Sequence, residues 1–327
     1  MASNRNKISK MTKNNTFLKD VNDGLSQYPK YLSSHYFYDK NGDELFRQIM
    51  EMPEYYLTNS ELEIFKEQTD SIIGSFGLDK SQGFELIELG AGDGEKTQHL
   101  LKRLIDEDFK FKFIPVDISN NSLHQITERM TDLFPTLEIE GKQGDYFYVL
   151  DELFISDKPK VILFIGSNLG NMADETAANF LNKIAINMKP GEKLLLGLDL
   201  IKSQDIVLPA YSDAAGITRD FNLNLLKRIN NELGADFDIS SFEHQPEYTE
   251  EEGIAKSFLR SKKKQTVYIK DLEKFFEFAE NESIHTEISR KYNDEILQRL
   301  IATSDLEIST KLLDRKNYFA DYILIKT

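Results

Sequence analysis

The stretch ELIELGAGDGEKT, residues 85–97, limits the possible folds more than any other part of the chain. Its opening run is short and almost wholly apolar, which suits a strand covered on both faces better than a helix. Glycines then occupy positions 90, 92 and 94. Glycines so spaced let the backbone turn left-handed and approach a ligand closely, and a helix opening behind them offers unpaired N–H groups. Strand, glycine turn, helix is an arrangement of the nucleotide-binding α/β folds.

The same alternation continues downstream. FKFIPVD, KVILFIG and EKLLLGLDL read as further strands, with helical spacing over 95–106, 120–133 and 173–188 between them. Short apolar strands divided by helices form a parallel sheet buried on both faces. Ahead of the sheet, residues 43–50 and 60–76 carry apolar side chains at helical spacing, the second stretch after a cap-like Thr58-Asn59-Ser60. From about 200 to 285 the alternation stops. A helix, TRDFNLNLLKRINNELG, precedes a predicted hairpin, IAKSFLRSKKKQTVYI, whose solvated tip is Lys262, Lys263 and Lys264. A helix, NDEILQRLIATS, and two strands, LEISTKLL and YFADYILIKT, close the chain. The expected fold class is α/β: a Rossmann-like sheet domain from 60–199 plus 286–327, with a second, inserted substrate-binding lobe from 1–59 plus 200–285.

Composition removes several functions. The net charge is −15, so the surrounding field repels polyanions and no nucleic acid partner is expected. The chain has no cysteine, which excludes disulfides, thiolate metal sites and cysteine nucleophiles. Its five histidines show no ligand spacing, and no metal site is expected. With no apolar run of about 18 residues and no signal-peptide pattern, the expectation is a cytoplasmic protein off the membrane, a monomer or weak oligomer.

The side chains of the glycine turn narrow its ligand. A dinucleotide fingerprint has a small residue three positions after its second glycine; Glu95 stands there, and its charge opposes a pyrophosphate. A phosphate-binding loop needs Gly-Lys-Thr in direct succession, which Glu95 also interrupts. The pattern acid-x-Gly-x-Gly-x-Gly, Glu88 to Gly94, resembles motif I of the class I S-adenosylmethionine (SAM)-dependent methyltransferases. The resemblance implies a ligand without phosphate, carrying cationic sulfonium and amino groups that tolerate an acidic loop. It makes Asp117, at the end of FKFIPVD, the acceptor for the ribose diol, and sets Asp145 and Tyr146 against the adenine. Glu88, Gly90, Gly92, Gly94, Lys96 and Gly166 complete the implied cofactor set.

Longer segments point further. YFYDKNGDELFRQIMEMPEYYLTNSE, FIGSNLGNM, AYSDAAGITRDFNLNLLKRINNELGADFD and TEISRKY together resemble the L-histidine Nα-methyltransferases, which make hergynine for ergothioneine synthesis, from about residue 30 onwards. That family also has relatives that methylate a prenylated tryptophan. The resemblance implies SAM-dependent methylation of the α-amino group of an amino acid, with L-histidine the leading substrate. It assigns Asn171 and Tyr211 to the substrate carboxylate, Tyr38 and Tyr55 to the catalytic wall around the amino group, and Phe46 and Thr218 to the rest of that wall. Glu287 and Ser289 match the pair that reads the imidazole. Ser257 stands where the histidine enzymes generally carry Met, a departure that bears on which amino acid is accepted. The alternatives are methylation of another aromatic amino acid or amine, and a non-catalytic module that binds SAM or its product.

Overall fold

The computed structural model describes residues 15–144, 149, 150, 152 and 156–327. The chain divides into two compact units, Met1–Tyr55 with Ser203–Ser289, and Tyr56–Lys202 with Arg290–Thr327.

The second unit is built on an eight-stranded sheet. From one edge its path runs Leu306–Leu313, Phe319–Lys326, Lys193–Asp199, Lys160–Phe164, Phe84–Leu89, Phe111–Asp117 and Glu138–Ile139, and Lys142–Gln143 also pairs with Phe111–Asp117. Strands Lys193–Asp199 through Glu138–Ile139 are parallel, whereas Phe319–Lys326 enters antiparallel to both its neighbours. Every position of Phe84–Leu89 and Lys160–Phe164 is buried, as two-sided cover requires. Ile87 and Leu89 join one core with Phe180, Leu181 and Leu297, while Phe84 and Leu86 join another with Leu100, Ile126 and Phe65. Strand order reverses between Phe84–Leu89 and Lys160–Phe164, and in open α/β sheets ligands bind beyond the carboxyl ends of strands at such a reversal.

The predicted helix over 60–76 is two helices, Tyr56–Glu67 and Thr69–Phe76. Leu57, Glu61, Ile64 and Phe65 are all buried, so the inward stripe starts before the polar triplet and Thr58-Asn59-Ser60 lies inside the helix rather than capping it.

In the first unit, a four-stranded sheet runs Lys30–Tyr31, Ser283–Arg290, Ile254–Ser261, Phe242–Glu247. Helix Ile217–Leu233 supplies Phe221, Leu225, Leu226 and Ile229 to a core that includes Phe242 and Leu259 from that sheet. The predicted hairpin is corrected here. Ile254–Ser261 pairs antiparallel with Phe242–Glu247, and Gln265–Ile269 pairs instead with Lys274–Phe278. Lys262–Lys264 therefore links two sheets, exposed, with Lys263 paired to Asp238 at 3.2 Å. Alternation in IAKSFLRS reports a strand with one buried face but not which strand lies beside it. The expected boundary at 285/286 also moves, because Ser283–Arg290 is one continuous strand and the first unit runs through Ser289.

Among the described residues no helix is long and apolar enough to cross a membrane.

Candidate active site

The glycine turn sits at the carboxyl end of Phe84–Leu89. Gly90, Gly92 and Gly94 have φ of 73°, 55° and 69°, in the left-handed region where a Cβ is strained. Gly94 needs its hydrogen for a second reason: a Cβ there lies 2.5 Å from Met130 Cε and 2.8 Å from Ile126 Cδ1, both on helix Asn120–Leu133. At Gly92 a Cβ meets nothing within 4 Å, so this backbone faces open space.

Asp117 ends the neighbouring strand and is aimed at the turn by two backbone donors. Gly92 N–H donates to Oδ2 at 3.1 Å and Ser119 N–H to Oδ1 at 2.8 Å. Burial pushes its carboxyl above the ordinary range, and these amides oppose the shift.

Glu88 takes a different place from that expected. It is 1% exposed beneath the turn, where Thr97 Oγ1 donates to its Oε1 at 2.7 Å. Burial pushes the carboxyl up to about 8, so it is mostly neutral at neutral pH. A closed-off, neutral acid braces strand against helix and offers a ligand no charge.

Lys96 and Gly166 meet at the reversal point. Lys96 pairs with Glu61, and Gly166 N–H donates to both Glu61 oxygens at 2.9 Å. A Cβ on Gly166 lies 3.5 Å from Lys96 Nζ, and one on Gly90 lies 2.9 Å from Asn168 Nδ2. Asp145 and Tyr146 lie outside the described residues.

In the first unit, the aromatic residues expected at the substrate amine form one cluster. Tyr38 meets Phe46 edge-on with ring centroids 5.5 Å apart, and Phe46 meets Tyr55 at 6.4 Å. Phe221 is the hub, 5.9 Å from both Tyr38 and Phe46. Thr218 lies one helical turn before Asn222, whose Nδ2 donates to its carbonyl at 3.1 Å. Thr286 Oγ1 bonds both Asn222 Oδ1 at 2.8 Å and the Ser257 carbonyl at 3.0 Å. Ser257 is buried, and its Oγ has no hydrogen-bond partner among the described residues.

Tyr211 Oη bonds Ser289 Oγ at 2.8 Å, and both residues are buried. Glu287, two positions earlier on Ser283–Arg290, shares a side of the strand with Ser289 by alternation. Asn171 belongs to the second unit, exposed at the end of the turn Asn168–Asn171.

Three residues escape a reading of the sequence. Glu61 interrupts an apolar helical stripe, a signal visible in SELEIF. Phe221 looks like any other core position. His244 is held neutral by burial, which lowers it to about 4, and its Nε2 has no hydrogen-bond partner among the described residues. Isolated in sequence, it carries no signal.

Glycine turn at the strand reversal, a carboxylate ending the next strand and a reversed final strand define a class I SAM-dependent methyltransferase. The residues fit that cofactor: Gly92 leaves an open approach, Asp117 offers an oriented acceptor, and the turn holds no phosphate clamp. The family described as "Histidine-specific methyltransferase, SAM-dependent" matches residues 17–326. Histidine N-alpha-methyltransferase of Mycolicibacterium smegmatis is 36% identical over 288 residues, 88% of each chain. Ergothioneine biosynthesis protein 1 of Schizosaccharomyces pombe is 29% identical over 302 residues, covering 90% of this chain and 39% of that protein. Among solved structures, a SAM-dependent methyltransferase from Clostridium acetobutylicum has 12% identity and a TM-score of 0.45, covering 80% of this chain and 91% of its own. The chain belongs to the histidine-specific SAM-dependent methyltransferase family.

Proposed function

We propose that this enzyme transfers methyl groups from SAM to the α-amino nitrogen of L-histidine, the step that yields hergynine. The observation that carries the reading is the family match across residues 17–326. SAM supplies an electrophilic methyl group, and the chain's own task is to present a neutral amine in line with it. The cluster of Tyr38, Phe46, Tyr55 and Phe221 gives the amine aromatic faces that hold the cationic methylated nitrogen by cation–π contact. Glu287 accepts from the imidazole N–H while Ser289 serves the other ring nitrogen.

One observation favours a second reading. Ser257 is small, buried and unpartnered at Oγ, where a Met would fill more space. A larger aromatic amino acid suits such a position, and L-tryptophan methyltransferase of Psilocybe serbica is 25% identical over 328 residues. Mass spectrometry of the purified protein with SAM and each amino acid separately tests both: methylated histidine is the expected product, and its absence beside methylated tryptophan selects the second reading.

Tyr211→Phe tests the carboxylate assignment. Losing a phenol that bonds a charged group raises KM by roughly tenfold or more, and by the same factor for every accepted amino acid, because all share the carboxylate. Steady-state kinetics with two substrates check this. A loss confined to histidine moves Tyr211 to side-chain reading through Ser289, its partner at 2.8 Å.

A further inference from the structure

We propose that Glu61, held against Asp321 across Gly197, is a positioning residue that clamps the two cofactor loops of this enzyme together. The proposal rests on the assignment of Lys96 and Gly166 to the cofactor site.

The geometry is specific. Glu61 is 0% exposed, and its carboxylate takes two donors: the Gly166 N–H, shared between both oxygens at 2.9 Å, and the Lys96 ammonium. Gly166 follows strand Lys160–Phe164, and Lys96 follows the glycine turn after Phe84–Leu89. One buried carboxylate thus joins both lips of the strand reversal, where a ligand binds. A side chain at 197 would prevent this. A Cβ there lies 1.9 Å from Glu61 Oε1 and 3.1 Å from Asp321 Oδ1. Gly197 has no left-handed φ to explain its being glycine, so space for the two carboxyls is the reason.

Asp321, directly opposite Gly197 in the sheet register, is also 0% exposed. Burial, then the neighbouring Glu61 charge, raises its carboxyl well above the ordinary range, while Lys96 opposes the shift. Burial alone would lower Lys96, and Glu61, followed by Asp321 and Glu88, more than reverses that. Glu88, itself mostly neutral, also faces Glu61 and Lys96. Burial and the neighbouring carboxylate thus bias Asp321 toward its protonated form beside the group that receives Lys96 and Gly166. The sign is fixed by the raised value: the arrangement persists below it. As pH rises through it, the second carboxylate forms, repels the first, and the clamp loosens.

Calorimetric titration of the full chain with S-adenosylhomocysteine provides the test. Glu61→Gln places an amide NH₂ against the Gly166 and Lys96 donors, and is expected to weaken binding about tenfold or more while histidine KM at saturating SAM moves far less. Asp321→Asn has no proton to lose, so affinity should fall less steeply than in wild type as the pH is raised above neutral. The ligand's own amine titrates alike with both proteins. Equal loss of ligand affinity and histidine KM in Glu61→Gln, undiminished affinity, or matching pH slopes for Asp321→Asn and wild type would each overturn the clamp. If Glu61→Gln does not fold, the Asp321→Asn slope decides. Asp117→Ala in the same titration separates the two claims: binding lost there but kept in Glu61→Gln refutes the clamp alone, whereas binding kept in both refutes the cofactor-loop assignment beneath it.

Discussion

Replacing Asp117 with alanine is expected to weaken S-adenosylhomocysteine binding by roughly ten- to a hundredfold, the cost of leaving about 1–3 kcal/mol of hydrogen bonding to a charged acceptor unmade. The residue is well placed for so large an effect. Its two oxygens are already aimed by Gly92 and Ser119, so no side-chain freedom is lost on binding, and its burial strengthens each bond it makes. The fold should survive, because Gly92 is exposed and its released N–H can turn to water. On the ribose assignment, the charged form is the acceptor for both hydroxyls. Since burial raises the carboxyl, ligand affinity should also begin to fall, on acidification, at a higher pH than for an ordinary aspartate. Calorimetry gives the affinity and far-ultraviolet circular dichroism the fold. Undiminished affinity in a folded variant would mean that the glycine turn holds no ribose.

That Asp117 was legible in the sequence as a carboxylate ending the strand beside the glycine turn, while the contacts of Glu61 were not, is a matter of range. Gly90 to Gly94, Asp117 and the alternation of strands are local patterns, each set by the backbone or by burial within a few residues. They gave the sheet and its order of elements. Glu61 acquires its role from Gly166, Lys96 and Asp321, which are remote in the chain. SELEIF shows an acid in an apolar stripe but not what neutralises it. The same limit explains the misplaced hairpin: Ile254–Ser261 has the alternation of a half-buried strand, yet its partner was decided by the competing segment Phe242–Glu247. Glu88 fails in the opposite direction. Its position in the motif is legible, but its burial against Thr97, and hence its lost charge, is a tertiary fact.

Glu287→Ala is expected to raise the histidine KM by roughly ten- to a hundredfold and to leave S-adenosylhomocysteine affinity unchanged. A carboxylate paired with an imidazole N–H contributes about 1.5–3 kcal/mol, because hydrogen bonds to charged groups are the stronger kind. The local backbone supports a loss of this size. Strand Ser283–Arg290 is an interior strand of its sheet, between Lys30–Tyr31 and Ile254–Ser261. His285 fixes it again, with its ring 5.1 Å from Phe258 and its Nε2 bonded to the Glu287 carbonyl at 3.1 Å. Ser289, on the same side, is held by Tyr211. A side chain carried on so constrained a strand is presented in one place, and its removal is not compensated by a shift of the backbone. The lost carboxylate also removes the element that disfavours an apolar ring, so tryptophan and phenylalanine should gain relative to histidine. Competition kinetics with mixed amino acids, read by mass spectrometry, measure that ratio directly. If the alanine variant methylates histidine as efficiently as wild type, Glu287 does not read the imidazole. If it loses histidine, tryptophan and phenylalanine in equal proportion, its role is structural.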